Sequence, residues 1–136
     1  MQTRYLRLVC RSRDIDYPMY LDAPVETSDG RSTIVGKAMM CGFMHKEGGD
    51  LHPFVLRKDK PDPDATHLLG HVVDFGTDYE DPNVRYFHTN LPSKRIHKAE
   101  QFTVRMFDDS LHEYVDNIYD IQEVIDLVRQ QPVEDL

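Results

Sequence analysis

Gln101-Phe102-Thr103-Val104-Arg105-Met106-Phe107 alternates without a break. Phe102, Val104 and Met106 share one parity; Gln101, Thr103 and Arg105 share the other. A side-chain period of two marks a strand with one buried face. This stretch sets the period by which its neighbours are read. Downstream, Asp108-Asp109-Ser110 reads as a turn, because Asp and Ser bond nearby backbone, and His112–Ile118 reads as the returning strand. Upstream, the connection Leu91-Pro-Ser-Lys-Arg-Ile-His-Lys98 follows another strand, Asn83–Asn90. In that strand Val84, Tyr86 and His88 oppose Arg85, Phe87 and Thr89.

The same period runs through the first half. In Tyr5–Arg11, Leu6, Leu8 and Cys10 face one way and Arg7 and Arg11 the other. Met19-Tyr20-Leu21, between Pro18 and Pro24, predicts a short edge strand, because proline cannot donate to a ladder. Ser28-Asp29-Gly30 reads as a turn. Thr33–Met44 is apolar on both faces and predicts one central strand, with Gly36, Ala38 and Gly42 on one face as at a barrel corner. Lys46–Asp50 is a hairpin turn into Leu51–Leu56. A charged loop from Arg57 to Asp64 leads to a strand over Thr66–Phe75, and Gly76 to Pro82 is an acidic turn region.

Only the end reads as helix. Asp120 and Glu123 have the spacing of a capping box, with Tyr119 and Val124 as the staple. Ile121, Val124, Ile125 and Val128 then fall at i, i+3, i+4 and i+7, and Pro132 stops the run. The sequence therefore predicts a mainly β fold (or α+β): a strongly curved antiparallel sheet or small β-barrel of about seven or eight strands with a C-terminal helix. One domain spans 1–131, with its helix at about 120–130, and 132–136 is expected to fray.

Composition bounds the function. The chain has 136 residues, 24 acidic against 16 basic, and a net charge of −8. Residues 1–60 hold 10 basic and 8 acidic side chains, and residues 61–136 hold 6 and 16, so the acidic excess lies in the second half. A global polyanion binder would need the opposite sign. Arg4, Arg7, Arg11 and Arg13 leave an Arg-rich first strand as a weak nucleic-acid surface. The two cysteines, Cys10 and Cys41, cannot form a four-thiolate site, and their apolar flanks predict buried free thiols in a reducing, cytoplasmic setting. No apolar run is long enough to span a bilayer, so no membrane association is expected.

Seven histidines are the main chemical resource. His67 and His71 form HxxxH, but on a strand four residues span ~13 Å, too far to share a metal. His71, Asp74, His88 and His112 are the candidate acid–base groups if they converge in a barrel mouth, where a lyase, isomerase or hydrolase would use them. Lys94, Arg95 and Lys98 are the candidate anion-binding residues. No serine lies in a GxSxG elbow, no glycine-rich loop cradles phosphate, and neither metal nor cofactor is expected. The reading that survives is a small non-enzymatic binding module that holds a protein partner or small ligand on a curved sheet. A homodimer could form through an edge strand such as Leu6–Arg11.

Overall fold

The computed structural model describes residues 2–36, 40–45, 49–59, 68–76 and 85–136. Among the described residues ten strands follow in order: β1 (Gln2–Ser12), β2 (Met19–Ser28), β3 (Arg31–Ile34), β4 (Met40–His45), β5 (Leu51–Lys58), β6 (His71–Asp74), β7 (Phe87–Thr89), β8 (Gln101–Asp108), β9 (Glu113–Asp126) and β10 (Gln131–Pro132). Eight of them, β1, β2 and β4 to β9, form an antiparallel meander, and β1 pairs with β9 to close it. The molecule is a closed up-and-down barrel. β3 folds back on β2 and β10 on β9, outside the closed circuit.

Closure follows from the alternation. The inward parity of each strand is apolar: Leu6, Leu8 and Cys10 on β1, Met19, Leu21 and Ala23 on β2, Met40 and Met44 on β4. Phe54 and Leu56, Val73, Phe102, Val104 and Met106, and Tyr119 and Ile121 complete the core around the barrel. A meander with one apolar face can bury it by curling on itself, which also removes the sheet edges. Cross-strand ion pairs Arg7–Asp22 at 2.7 Å, Arg57–Asp74 at 3.1 Å and Arg105–Asp116 at 2.6 Å lace the outward parity.

Several expectations need correction. The described residues contain no α-helix; the predicted helix at 120–130 is mostly the second half of β9. Cys10 pairs with Ile121 and Val9 with Glu123, so Gln122 is an extra residue in a β-bulge. The bulge switches the inward parity from Asn117, Tyr119 and Ile121 to Val124 and Asp126. That switch puts Ile121 and Val124 three residues apart, the spacing of a helical stripe. Asp120 caps nothing; it takes a bidentate pair from Arg13 at 2.8 and 3.1 Å. Val128, fourth in the supposed stripe, is 78 % exposed.

β2 is a ten-residue internal strand, not a short edge. It pairs with β4 through Met19–Asp22 and with β3 through Val25–Ser28, so Pro24 lies where the partner changes and its missing N–H breaks no ladder. Thr33–Met44 is two strands, because β3 returns along β2 before β4 begins. Cys10 is buried, but Cys41 is exposed on the outward parity of β4. β1 is paired on both sides, so Leu6–Arg11 offers no edge for a second copy. Residues 132–136, expected to fray, are tethered. The Val133 N–H donates to the Val124 carbonyl at 2.8 Å, Leu136 packs on the core, and Arg4 reaches Asp135 at 3.3 Å.

The two barrel ends differ. At one, the 3-10 turn Leu91–Ser93 and the segment after it bury Leu91 and Ile96, and the Ile96 N–H donates to the Ser32 carbonyl at 2.8 Å. These side chains plug that end. At the other, ring contacts among Phe54, Phe75 and Phe87 at 5.5–5.8 Å close the β5–β7 side. Among the described residues the β8–β9 side of that end stays open. Among the described residues no helix is long and apolar enough to cross a membrane.

Candidate functional site

The open end is a cavity of about 500 Å³. Its walls are Ile15 and Tyr17 from the β1–β2 loop, Phe87 at the start of β7, Met106 and Phe107 near the end of β8, and Val115 and Asn117 on β9. The β8–β9 turn, Asp108-Asp109-Ser110, forms its rim. The size and the apolar walls suit a small ligand. One bond fixes the loop wall: the buried Tyr119 hydroxyl donates to the Tyr17 carbonyl at 2.7 Å. Burial pushes the Tyr119 phenol well above its ordinary value, so it is a stable donor.

Asn117 is the anomaly of this cavity. It pairs with Val104 across β8–β9 and occupies the inward parity between Val115 and Tyr119. Its exposure is 6 %, and its side chain makes no hydrogen bond among the described residues. A carboxamide carries two donors and two acceptor sites. Its amide atoms are not sealed from solvent, and among the described residues they border the mouth.

The residues singled out from the sequence lie elsewhere. His71 sits at the start of β6, half-buried, and desolvation lowers its pKa from the ordinary imidazole value despite the nearby Asp59 carboxylate. Stability from a depressed imidazole is fully present above the unfolded pKa near 6.5 and is lost as pH falls from there through the lower folded-state pKa. Asp74 faces outward, accepts from Arg57, and closes a turn by accepting the Gly76 N–H at 2.8 Å. His112 is exposed in the β8–β9 turn with φ of 55°, against the Phe107 ring. His67 lies outside the described residues.

His88 is buried on the outward parity of β7, and its Nδ1 lies 3.3 Å from Asp59. The Tyr114 ring stands edge-on to it at 5.8 Å. The structure thus brings His88 to Asp59, a residue sequence reasoning passed over as part of a charged loop, and not to Asp74 or His112. None of the four candidate acid–base residues lines the mouth. Among the described residues no three His, Cys, Asp or Glu side chains are placed to hold a metal.

Of Lys94, Arg95 and Lys98, the last two line separate depressions. Arg95 donates to the Gly30 carbonyl at 3.4 Å and borders a depression with Asp135, whereas Lys98 borders another with Arg11 and Glu123. Arg4, Arg7 and Arg13 of the Arg-rich first strand are each ion-paired with an aspartate. A further depression on the outer wall holds Cys41, Phe43, Pro53 and Val55. Its charged residues, Arg7, Asp22 and Asp74, are already engaged in ion pairs.

Asn117 was not singled out from the sequence. The signal is local: Val115, Asn117, Tyr119 and Ile121 share one parity, and Asn is the only carboxamide on that apolar face. No family model matches this chain, and neither a curated protein nor a solved structure matches it.

Proposed function

We propose that this chain is a small binding module that takes a small, largely apolar ligand into the open mouth of the barrel. The observation that carries this reading is Asn117, a carboxamide 6 % exposed among apolar neighbours, whose amide borders a cavity of ligand size with no protein partner among the described residues. A polar atom of the ligand would complete its hydrogen bonding, while the ligand body packs against Ile15, Phe87, Met106 and Val115. Binding on the inner wall places the ligand on the concave face of the curved sheet.

An acid–base enzyme is the weaker reading. It would now rest on Asp59 and His88, whose side chains are only 7 % and 4 % exposed, so a substrate has little access to them.

The test separates the carboxamide from the cavity. 1-Naphthylmethanol should bind the protein in titration calorimetry, and Asn117→Leu should weaken it about five- to tenfold, the size of one lost hydrogen bond. 1-Methylnaphthalene, which has no polar atom, should lose nothing. Failure of the alcohol to bind, or equal binding by both proteins, would refute the reading.

A further inference from the structure

We propose that the ligand of the mouth carries a cationic amine on its apolar body. The inference rests on the mouth being a ligand site and names the chemical class it selects. Among the described residues both charged residues lining the cavity are acidic, Asp108 and Asp109. Asp108 is fixed in place: its Oδ1 accepts from the Ser110 N–H at 2.9 Å, the Ser110 hydroxyl at 2.6 Å and the Leu111 N–H at 3.1 Å. Those bonds hold its carboxyl below the usual range and keep it ionised. Asp109 is exposed at the rim, and its side chain makes no hydrogen bond or ion pair among the described residues. Asp16, between the wall residues Ile15 and Tyr17, adds a third exposed carboxylate at this end.

Among the described residues, the nearby cations do not line the cavity. Arg13 is held in its bidentate pair with Asp120. Arg85 lies over the Phe107 ring at 5.5 Å from its centroid and does not line the cavity. His112 packs against the same ring and does not line the cavity. Acidic side chains alone would not define a site. The independent observation is Asn117, 6 % exposed at the wall and without a protein partner among the described residues, whose Oδ1 borders the cavity and can accept from an ammonium. The carboxylates then select the charge of the ligand that Asn117 orients, as a one-signed field in a partly desolvated mouth does.

Three probes with one body and different charge test this: 1-naphthylmethylamine, 1-naphthylmethanol and 1-naphthoate. Their affinities are measured at pH 7.5 by titration calorimetry. At low ionic strength the amine should bind about tenfold tighter than the carboxylate, with the alcohol between. In 1 M salt, where screening acts over about 3 Å, that gap should fall to about twofold. Asp109→Asn, at an exposed turn position, should cut the amine's advantage about threefold, and Asp16→Asn should cut it less. If the alcohol binds but the amine is no tighter than the carboxylate, the amine inference falls and the mouth remains a ligand site. A gap that ignores both salt and Asp109→Asn has the same consequence. If none of the three binds, both readings fall.

Discussion

Ile121→Asp should abolish folding, while Val128→Asp should leave the protein as stable as before. Ile121 is fully buried opposite Cys10, at the seam where β9 closes on β1. A carboxylate there would have no cation on its face of the sheet. Its neighbours are Cys10, whose thiol burial pushes far up, and Tyr119. Burying an unpaired charge costs at least about 4 kcal/mol, much of a small domain's stability. Val128 lies in the turn beyond β9, and an exposed substitution there should change stability by less than about 0.5 kcal/mol. An amphipathic helix over 120–130 would carry both side chains on one stripe and suffer from both changes. Urea unfolding of the two variants separates the alternatives, with similar losses in both as the contrary result.

Gly42→Ala should cost about 3 kcal/mol, an unusual penalty for adding one methyl group. Gly42 lies on the inward parity of β4, between Leu21 and Phe54 in the flanking strands. A Cβ there would overlap the Tyr20 carbonyl oxygen and stand 2.8 Å from the tip of the Phe54 ring. The ring could swing, but the carbonyl belongs to the neighbouring strand and cannot move without opening β2–β4. Overpacking of this kind costs about 1–3 kcal/mol when the core can adjust, and here one partner is backbone. Pairing the change with Phe54→Leu should recover little, because the backbone overlap remains. Thermal unfolding of the single and double variants reads this out; full recovery in the double variant would place the conflict at Phe54 alone.

The barrel was legible in the sequence because one physical signal dominates it. Period-two alternation in Tyr5–Arg11 and Gln101–Phe107 survives unchanged in β1 and β8, where each strand has one buried face. The signal failed where a local irregularity altered the spacing. Without Gln122, the run Ile121-Glu123-Val124-Ile125-Asp126 alternates cleanly; with it, the same side chains imitate a helix. β-branched Ile and Val at those positions favour the strand. Pro24 misled for a related reason: proline marks an edge only where the strand flanking its nitrogen would need an N–H, and on that flank β2 changes partner.

The site was less legible than the fold. Histidines and charged clusters drew attention because their chemistry is versatile, yet the barrel scatters them over its outer wall, its turns and its plugged end. His88 meets Asp59, a neighbour 29 positions away that no spacing rule connects. Asn117 carries the stronger information, as a polar residue where alternation demands an apolar one. Its meaning depends on the end of the barrel being open above it, which follows from how Ile15, Tyr17 and Phe87 pack rather than from any linear motif.

The most direct test of the mouth as the binding site is a two-dimensional ¹H–¹⁵N spectrum of the uniformly labelled protein titrated with 1-naphthylmethanol. The account predicts that the Asn117 side-chain NH₂ pair shifts most. Backbone amides of Phe87, Met106 and Val115 should move with it, while those of Cys41 and Val55 on the outer wall stay still. A spectrum in which the Asn117 side-chain signals do not move, or in which the shifts gather around Cys41 and Val55, would contradict it.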